Sequence, residues 1–467
     1  MRRADALAAR RYRPAFLDRP FASLHMLLAT TALLATIGLV MVLSASSVDS
    51  YSATGSVFDV FKKQALWFVL GVPIFWLGVR LSPQTHRRLA VPVLCVAALG
   101  LIAVLVPGIG VVVAGGRRWI DLGPFQLQPS EPAKLALVLW GADLLTRRER
   151  MLADWRHMIF PLIPVAVVIA GLVMLEPDLG TTLCILLILF GLLWTVGAPA
   201  RLFAGLAAAT TVGVLALIVV EPYRAARLTG FLHSSQPAPG TWDQASQGLS
   251  ALSSGGWFGV GLGQSRFKWG LLPNAHTDYI FAILGEELGL VGCVLVLGLF
   301  AVLAFSALRI AHRTADTFSR LVAGACAVWL TGQALINIGY VVGLLPVTGI
   351  PLPLISFGGT SLVMTLFVLG MLCSMARHEP AAITHTRSQG RGPIAKAFWL
   401  PVPARPRPLP RRKPKPAAAA RRAGRANMPP RDRSRRDNQQ GPVAPRRRTP
   451  PSRGRAQLRP SGTHGRR

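Results

Sequence analysis

The chain is short of acid. Its 467 residues hold 20 Asp and Glu against 51 Lys and Arg, a formal net charge of +31, yet charged residues make up only 15%. Soluble domains carry about 25% charge, so with a mean hydropathy of +0.44 a single soluble globular domain is excluded. Cysteine is scarce too. Cys95, Cys184, Cys293, Cys326 and Cys373 all lie in apolar runs and are odd in number, which excludes a disulfide scaffold and predicts small buried apolar side chains. There is no P-loop, and the glycine run at 255–263 opens no dinucleotide-binding unit. No metal-ligand cluster of the usual spacing is present.

What is there is segregated. Residues 378–467 hold 24 Lys and Arg against 3 Asp and Glu, a charge of +21, leaving +10 for the first 377. The organisation expected is a short N-terminal segment (1–20), an apolar region (21–377) and a Pro- and Arg-rich tail (378–467) too polar to build a core and therefore disordered. Apolar runs predict helices near 24–43, 64–81, 89–107, 131–146, 158–175, 179–197, 202–220, 279–308, 321–345 and 357–376, most approaching the ~20 residues that cross hydrocarbon. The fold class is thus an all-α polytopic membrane protein with about ten spans. With the N-terminus inside, the cytoplasmic loops collect eleven arginines, including Arg87, Arg88, Arg147, Arg148 and Arg313, and the basic tail falls on the same side. The positive-inside rule therefore places both termini in the cytoplasm.

The opposite side keeps Lys62, Lys63, Arg117, Arg118, Arg224, Arg227, Arg266 and Lys268. They serve as interfacial anchors or, together, as readers of an anionic ligand. The largest external segment, 221–278, separates the seventh and eighth apolar runs, and loops of that length are functional or disordered. Its aromatics Trp242, Trp257, Phe258, Phe267 and Trp269 interleave with glycine, which favours order. It closes on His276-Thr277-Asp278. Thr277 or Asp278 could cap the following helix, or Asp278 could accept a proton from an attacking hydroxyl. Glu131 and Lys134, three apart, form either a structural ion pair or a phosphate-holding couple. Asp178 is a helix cap or a cavity carboxylate. Glu286 and the adjacent Glu287 cannot face one cavity together, because neighbours on a helix point about 100° apart. The Pro- and Gly-rich run 349–361 forces irregular backbone at membrane depth, tolerated only where it is buried in protein or lines a cavity.

These strings carry a family resemblance. Gly38 to Ser47, Arg117-Arg118-Trp119-Ile120, Gln128-Pro129-Ser130-Glu131 with Lys134, Glu176-Pro177-Asp178, Gly259 to Gly263, Ala275-His276-Thr277-Asp278, Gly285-Glu286-Glu287 and Pro351 to Ser361 together resemble the SEDS family (shape, elongation, division and sporulation) over residues 20–377. The opening string is more similar to the cell-division branch than to the elongation branch. The resemblance implies ten transmembrane helices and a peptidoglycan glycosyltransferase. Such an enzyme polymerises lipid II at the outer face of the cytoplasmic membrane, at the division septum, with inversion and loss of undecaprenyl diphosphate. It makes Asp278 the general base and carries cavity roles onto Glu131, Lys134 and Asp178. Arg118, His276, Thr277 and Glu287 join them as substrate-binding candidates.

No cofactor is required by the resemblance, though a diphosphate leaving group would accept a divalent cation such as Mg2+. The partners it implies are lipid II, a class B penicillin-binding transpeptidase and other division-complex membrane proteins. The basic tail suits an acidic cytoplasmic division protein or anionic lipid; no nucleic-acid recognition motif accompanies the charge. Two other functions stay open at this point: a lipid II flippase, which needs a polar path reaching both faces, and a non-catalytic division scaffold.

Overall fold

The computed structural model describes residues 19–403 apart from 114–115, 124, 152–154 and 221–241. The Arg224 and Arg227 expectation and the tail beyond 403 lie outside the described residues.

Helices occupy all ten expected segments: α1 (Ala22–Thr54), α2 (Asp59–Arg80), α3 (Pro83–Leu105), α4 (Ser130–Arg147), α5 (Leu162–Leu175), α6 (Leu179–Val196), α7 (Ala200–Val220), α9 (Ile280–Arg313), α10 (Thr317–Val341) and α11 (Gly359–Arg377). Seven of them are long and apolar enough to cross a membrane: α1, α2, α3, α6, α9, α10 and α11. α5 and the first part of α7 are shorter apolar helices, and α4 interrupts its apolar run with Glu131, Lys134 and Asp143. The chain is a polytopic membrane protein. Local chemistry sets several ends: Ser82 accepts from Thr85 N ahead of Pro83 to start α3, Asp316 accepts from Ser319 N to start α10, and left-handed glycines close α1 and α6.

Burial orders the helices. Of the most apolar windows, 83% of α11 and 72% of α10 are buried, against 11% of α2 and 22% of α3, so α10 and α11 form the centre while α2 and α3 turn apolar side chains to lipid. α2 meets α11 at close range: a Cβ on Gly370 would stand 2.2 Å from the Phe75 carbonyl oxygen and one on Gly78 2.8 Å from that of Phe367. Small residues let two membrane helices touch backbone to backbone.

Two features add to these expectations and two correct them. The fold is not purely helical: β1 (Gly110–Val113), β2 (Gly116–Asp121) and β3 (Gln126–Leu127) make an antiparallel sheet in the order β1-β2-β3 between α3 and α4. Its strands are too short to leave a period-two signal. The external segment contains α8 (Trp242–Ser254). The disordered tail was placed from 378, but α12 (Pro380–Gln389) and α13 (Pro393–Ala397) follow, and Ala382, Ile383 and Leu400 are buried. These few apolar residues suffice because they pack on a surface already folded. Finally, Cys95 is exposed while the other four cysteines are buried, because it lies on lipid-facing α3.

Candidate active site

The irregular segment 348–361 is where several of the family-like strings converge. α10 supplies its bedding: Gln333 Nε2 donates to the Pro351 carbonyl at 2.9 Å and Asn337 Nδ2 to that of Ile350 at 2.7 Å. From α2, Gln64 Nε2 donates to Ser356 O, and Gln64 Oε1 accepts from Gly358 N, each at 3.3 Å. Thr360 donates to Gln126 O at 3.2 Å, joining the segment to β3. Leu354 adopts a left-handed φ of 66° and lies against α1, where a Cβ on Gly38 would stand 2.2 Å from the Leu354 oxygen. Carbonyls freed by prolines and glycines thus find side-chain donors inside the protein, as membrane depth requires.

Asp278 sits on one flank of this segment. The Tyr340 hydroxyl donates to the Asp278 carbonyl at 2.9 Å or to that of Ile350 at 3.0 Å, and Asn337 Nδ2 reaches the same two oxygens at 3.1 and 2.7 Å. A Cβ on Gly349, whose φ is +70°, would stand 3.8 Å from Asp278 Oδ2. The carboxylate is half-buried. It does not cap α9: the cap position is Tyr279, with no side-chain cap bond, and Thr277 Oγ1 donates to the Asn274 carbonyl at 3.2 Å instead. His276 stands 3.4 Å from Asp49 of α1 and edge-on to Phe357. Burial lowers the pKa of its imidazole, and the Asp49 carboxylate partly opposes that shift.

Asp178 sits on the other flank. A Cβ on Gly180 would stand 2.7 Å from Ile350 Cγ1 and 2.8 Å from the Thr348 oxygen. The carboxylate caps α6, accepting from Thr181 N at 2.9 Å, from Thr181 Oγ1 at 2.8 Å and from Gln128 Nε2 at 3.3 Å. Beneath it, Lys134 and Glu131 form a 2.8 Å ion pair with both side chains almost fully buried, and the ammonium lies 5.2 Å from the Trp329 ring centroid. Trp329 Nε1 in turn donates to Gln333 at 2.9 Å. The ion pair is therefore wired to the central segment through Trp329 and Gln333.

Arg118, on β2, donates from Nε to the Glu176 carbonyl at 3.0 Å and from a terminal nitrogen to the Pro177 carbonyl at 2.6 Å. It ties the sheet to the α5–α6 turn, where Pro177 has a φ of 28°. Glu176 is fully buried, and among the described residues its carboxyl oxygens have no hydrogen-bond partner. Burial and the Asp178 charge push its pKa up to about 8, against the pull of Arg118.

Glu286 and Glu287 diverge as helix geometry demands. Glu286 accepts from Ser265 Oγ and from Arg266 N. Glu287 accepts from Ser44 Oγ at 2.6 Å and pairs with buried Lys268 at 3.6 Å. Glu287, expected in the substrate pocket, is thus spent inside the protein. α9 breaks at Gly289 (φ 67°, ψ −166°). The glycine run docks on the break, Val260 N and Gly261 N donating to the Glu286 and Glu287 carbonyls at 3.0 and 3.1 Å. Gly259 is required there, since a Cβ on it would stand 2.1 Å from the Glu287 oxygen. Trp257, Phe258 and Trp269 remain exposed.

The structure therefore gathers Asp278, Asp178, Glu131 and Lys134 around one segment, with Arg118 behind Asp178 and His276 beside Phe357. The sequence reading leaves out Gln64, Gln333, Asn337 and Tyr340. The last three recur at helical spacing on an otherwise apolar helix, a polar stripe that could have marked them. Among the described residues, no group of three His, Cys, Asp or Glu could hold a metal ion.

Comparison with known proteins shows the family. The family described as "Cell cycle protein", that of FtsW, RodA and SpoVE, matches residues 24–381. A Mycobacterium tuberculosis protein, "Probable peptidoglycan glycosyltransferase FtsW", is 45% identical over 389 residues, covering 83% of this chain and 74% of its own. Bacillus subtilis "Stage V sporulation protein E" is 37% identical over 354 residues, 76% of this chain and 97% of its own. Among solved structures, a chain from a peptidoglycan synthase complex that coordinates polymerization and crosslinking superposes with a TM-score of 0.62 at 30% identity, covering 75% of this chain and 96% of that one. Thermus thermophilus RodA gives a TM-score of 0.57 at 29% identity, covering 76% and 96%.

Proposed function

The chain belongs to the FtsW, RodA and SpoVE family of cell cycle proteins, and from that premise we propose that it is a peptidoglycan glycosyltransferase of cell division, joining lipid II into glycan strands. The observation that carries the reading is the seating of Asp278. Its backbone is clamped by Asn337 and Tyr340, and its half-buried carboxylate faces a glycine, Gly349, that leaves space beside it. In this reading the carboxylate takes the proton of the sugar 4-hydroxyl as that oxygen bonds to the anomeric carbon of a second lipid II. The bond from that carbon to the diphosphate breaks with inversion, and undecaprenyl diphosphate leaves. A fixed base of this kind contributes on the order of 10²- to 10⁴-fold.

Lys134 is largely neutralised by Glu131, so its part is to hold the pocket in shape more than to bind phosphate. Arg118 braces the Asp178 turn, while Asp178, His276 and Thr277 line the approach. Glu287 supports the glycine loop from behind. A divalent ion such as Mg2+ on the diphosphate would supply charge neutralisation to the leaving group.

The same reading places both termini in the cytoplasm, the Asp278 side outside, and the protein at the septum beside a class B penicillin-binding transpeptidase and other division proteins. It has residues 404–467 bind an acidic cytoplasmic protein or anionic lipid, with affinity that falls steeply with salt. The test is polymerisation of lipid II by the purified protein with its transpeptidase. Wild type should make glycan strands and Asp278→Ala should not; normal strands from the variant would overturn the mechanism, and transport without polymerisation would favour a flippase.

A further inference from the structure

The end of α13 is built where glycine normally serves. Trp399 N donates to Lys396 O at 3.1 Å and Leu400 N to Ala395 O at 2.9 Å, with Trp399 at φ 48°. This is a Schellman termination, whose left-handed position favours glycine. A bulky residue there costs backbone energy and persists where something else requires it. Among the described residues the ring is left outside: Trp399 is 74% and Phe398 57% exposed, while Leu400 is buried.

The position of this turn is fixed. Trp76 Nε1 donates to the Phe398 carbonyl at 3.0 Å. Arg377 bridges the Val79 and Pro401 carbonyls at 3.0 and 2.7 Å. Trp76 lies about one turn before Arg80, the last residue of α2, and α2 exposes Val69, Val72 and Leu77 along its length. Phe398 and Trp399 thus stand at the rim of the hydrocarbon, where aromatic rings partition between acyl chains and headgroups. Residues 380–403 contain no acid, and Arg387, Arg391 and Lys396 are all exposed.

We propose that residues 391–402 form an interfacial anchor. Phe398 and Trp399 enter the leaflet on the side of the C-terminus, and Arg391 and Lys396 select anionic phospholipid headgroups. The anchor would hold the start of the basic tail against the membrane, and it does not depend on the glycosyltransferase reading.

The test is residue-resolved hydroxyl-radical footprinting of the full chain in detergent, in phosphatidylcholine nanodiscs and in nanodiscs containing phosphatidylglycerol. Oxidation of Trp399 and Phe398 should fall several-fold in bilayers, and most with phosphatidylglycerol. Trp399→Gly relieves the left-handed strain, so its Tm in detergent should equal or exceed wild type. The extra protection of Phe398 by phosphatidylglycerol should be lost in that variant. Equal oxidation in detergent and both bilayers, or protection appearing only when a second protein is added, would overturn the anchor. Equal protection in the two bilayers would overturn the selection of anionic headgroups.

Discussion

Asp178 and Asp278 flank one segment of backbone and are held in opposite ways. Asp178 spends its carboxylate, which caps α6 and accepts from Thr181 and Gln128. Asp278 is held by its main-chain carbonyl, through Asn337 and Tyr340, and starts no helix. A carboxylate fixed by its own oxygens does structural work. The Asp278 carboxylate lies beside Gly349, where a Cβ would stand 3.8 Å from Oδ2. The same residue type, in two family-like strings, is held differently by what surrounds it.

That contrast can be broken by substitution. The largest expected effect is that of Asp278→Asn, which keeps shape and removes the base. Polymerisation of lipid II should fall on the order of 10²-fold or more, with Tm unchanged; retained activity would place the base elsewhere. Next is Tyr340→Phe, which removes one of two donors to the Asp278 and Ile350 carbonyls. Loss of a net bond of about 1 kcal/mol should lower kcat about fivefold and leave KM unchanged, and an equal rise in KM would argue for a role in binding. Asp178→Ala should cost about 1 kcal/mol of stability through its cap, read as a lower Tm that Asp178→Ser partly restores. If Asp178→Ser recovers stability but not polymerisation, Asp178 is more than a cap.

The effect that bears least on polymerisation is that of Glu176→Gln, read as stability through pH. Glu176 has its pKa raised from 4.5 to about 8 by burial. The protonated form fits the fold, so the stability this group contributes is full below 4.5, declines as pH rises and is lost once pH passes about 8. Wild-type Tm should drop across that window relative to Glu176→Gln, the two variants agreeing at its acid end. Parallel curves would mean that Arg118 keeps the carboxylate ionised throughout.

Much of the site was legible beforehand because membranes punish misplaced polarity. Glu131, Lys134 and Asp178 stand out as charges beside apolar runs, and the first and second form a buried ion pair. The run 349–361 announced irregular backbone through Pro351, Pro353, Gly358 and Gly359. Gln333, Asn337 and Tyr340 did not stand out, because uncharged polar residues inside a membrane helix are affordable singly and their partners lie on remote backbone. The inward course of Glu287 was equally hidden, since Ser44 is separated from it by 243 residues.

Composition and periodicity by themselves determined the class: apolar runs long enough for hydrocarbon, followed by a strongly basic remainder. The positions of all ten helices followed from those runs. Tertiary structure alone decided how the polar residues were spent. Hydrogen bonds between distant segments allot Asp178 to a cap, Glu287 to Ser44 and Lys268, and Asp278 to a site clamped through its carbonyl. It also carried the packed chain past 377 to Leu400. The physical reason is range. Solvent preference acts on each residue locally and can be read along a chain, whereas a hydrogen bond needs a partner that only folding brings within reach.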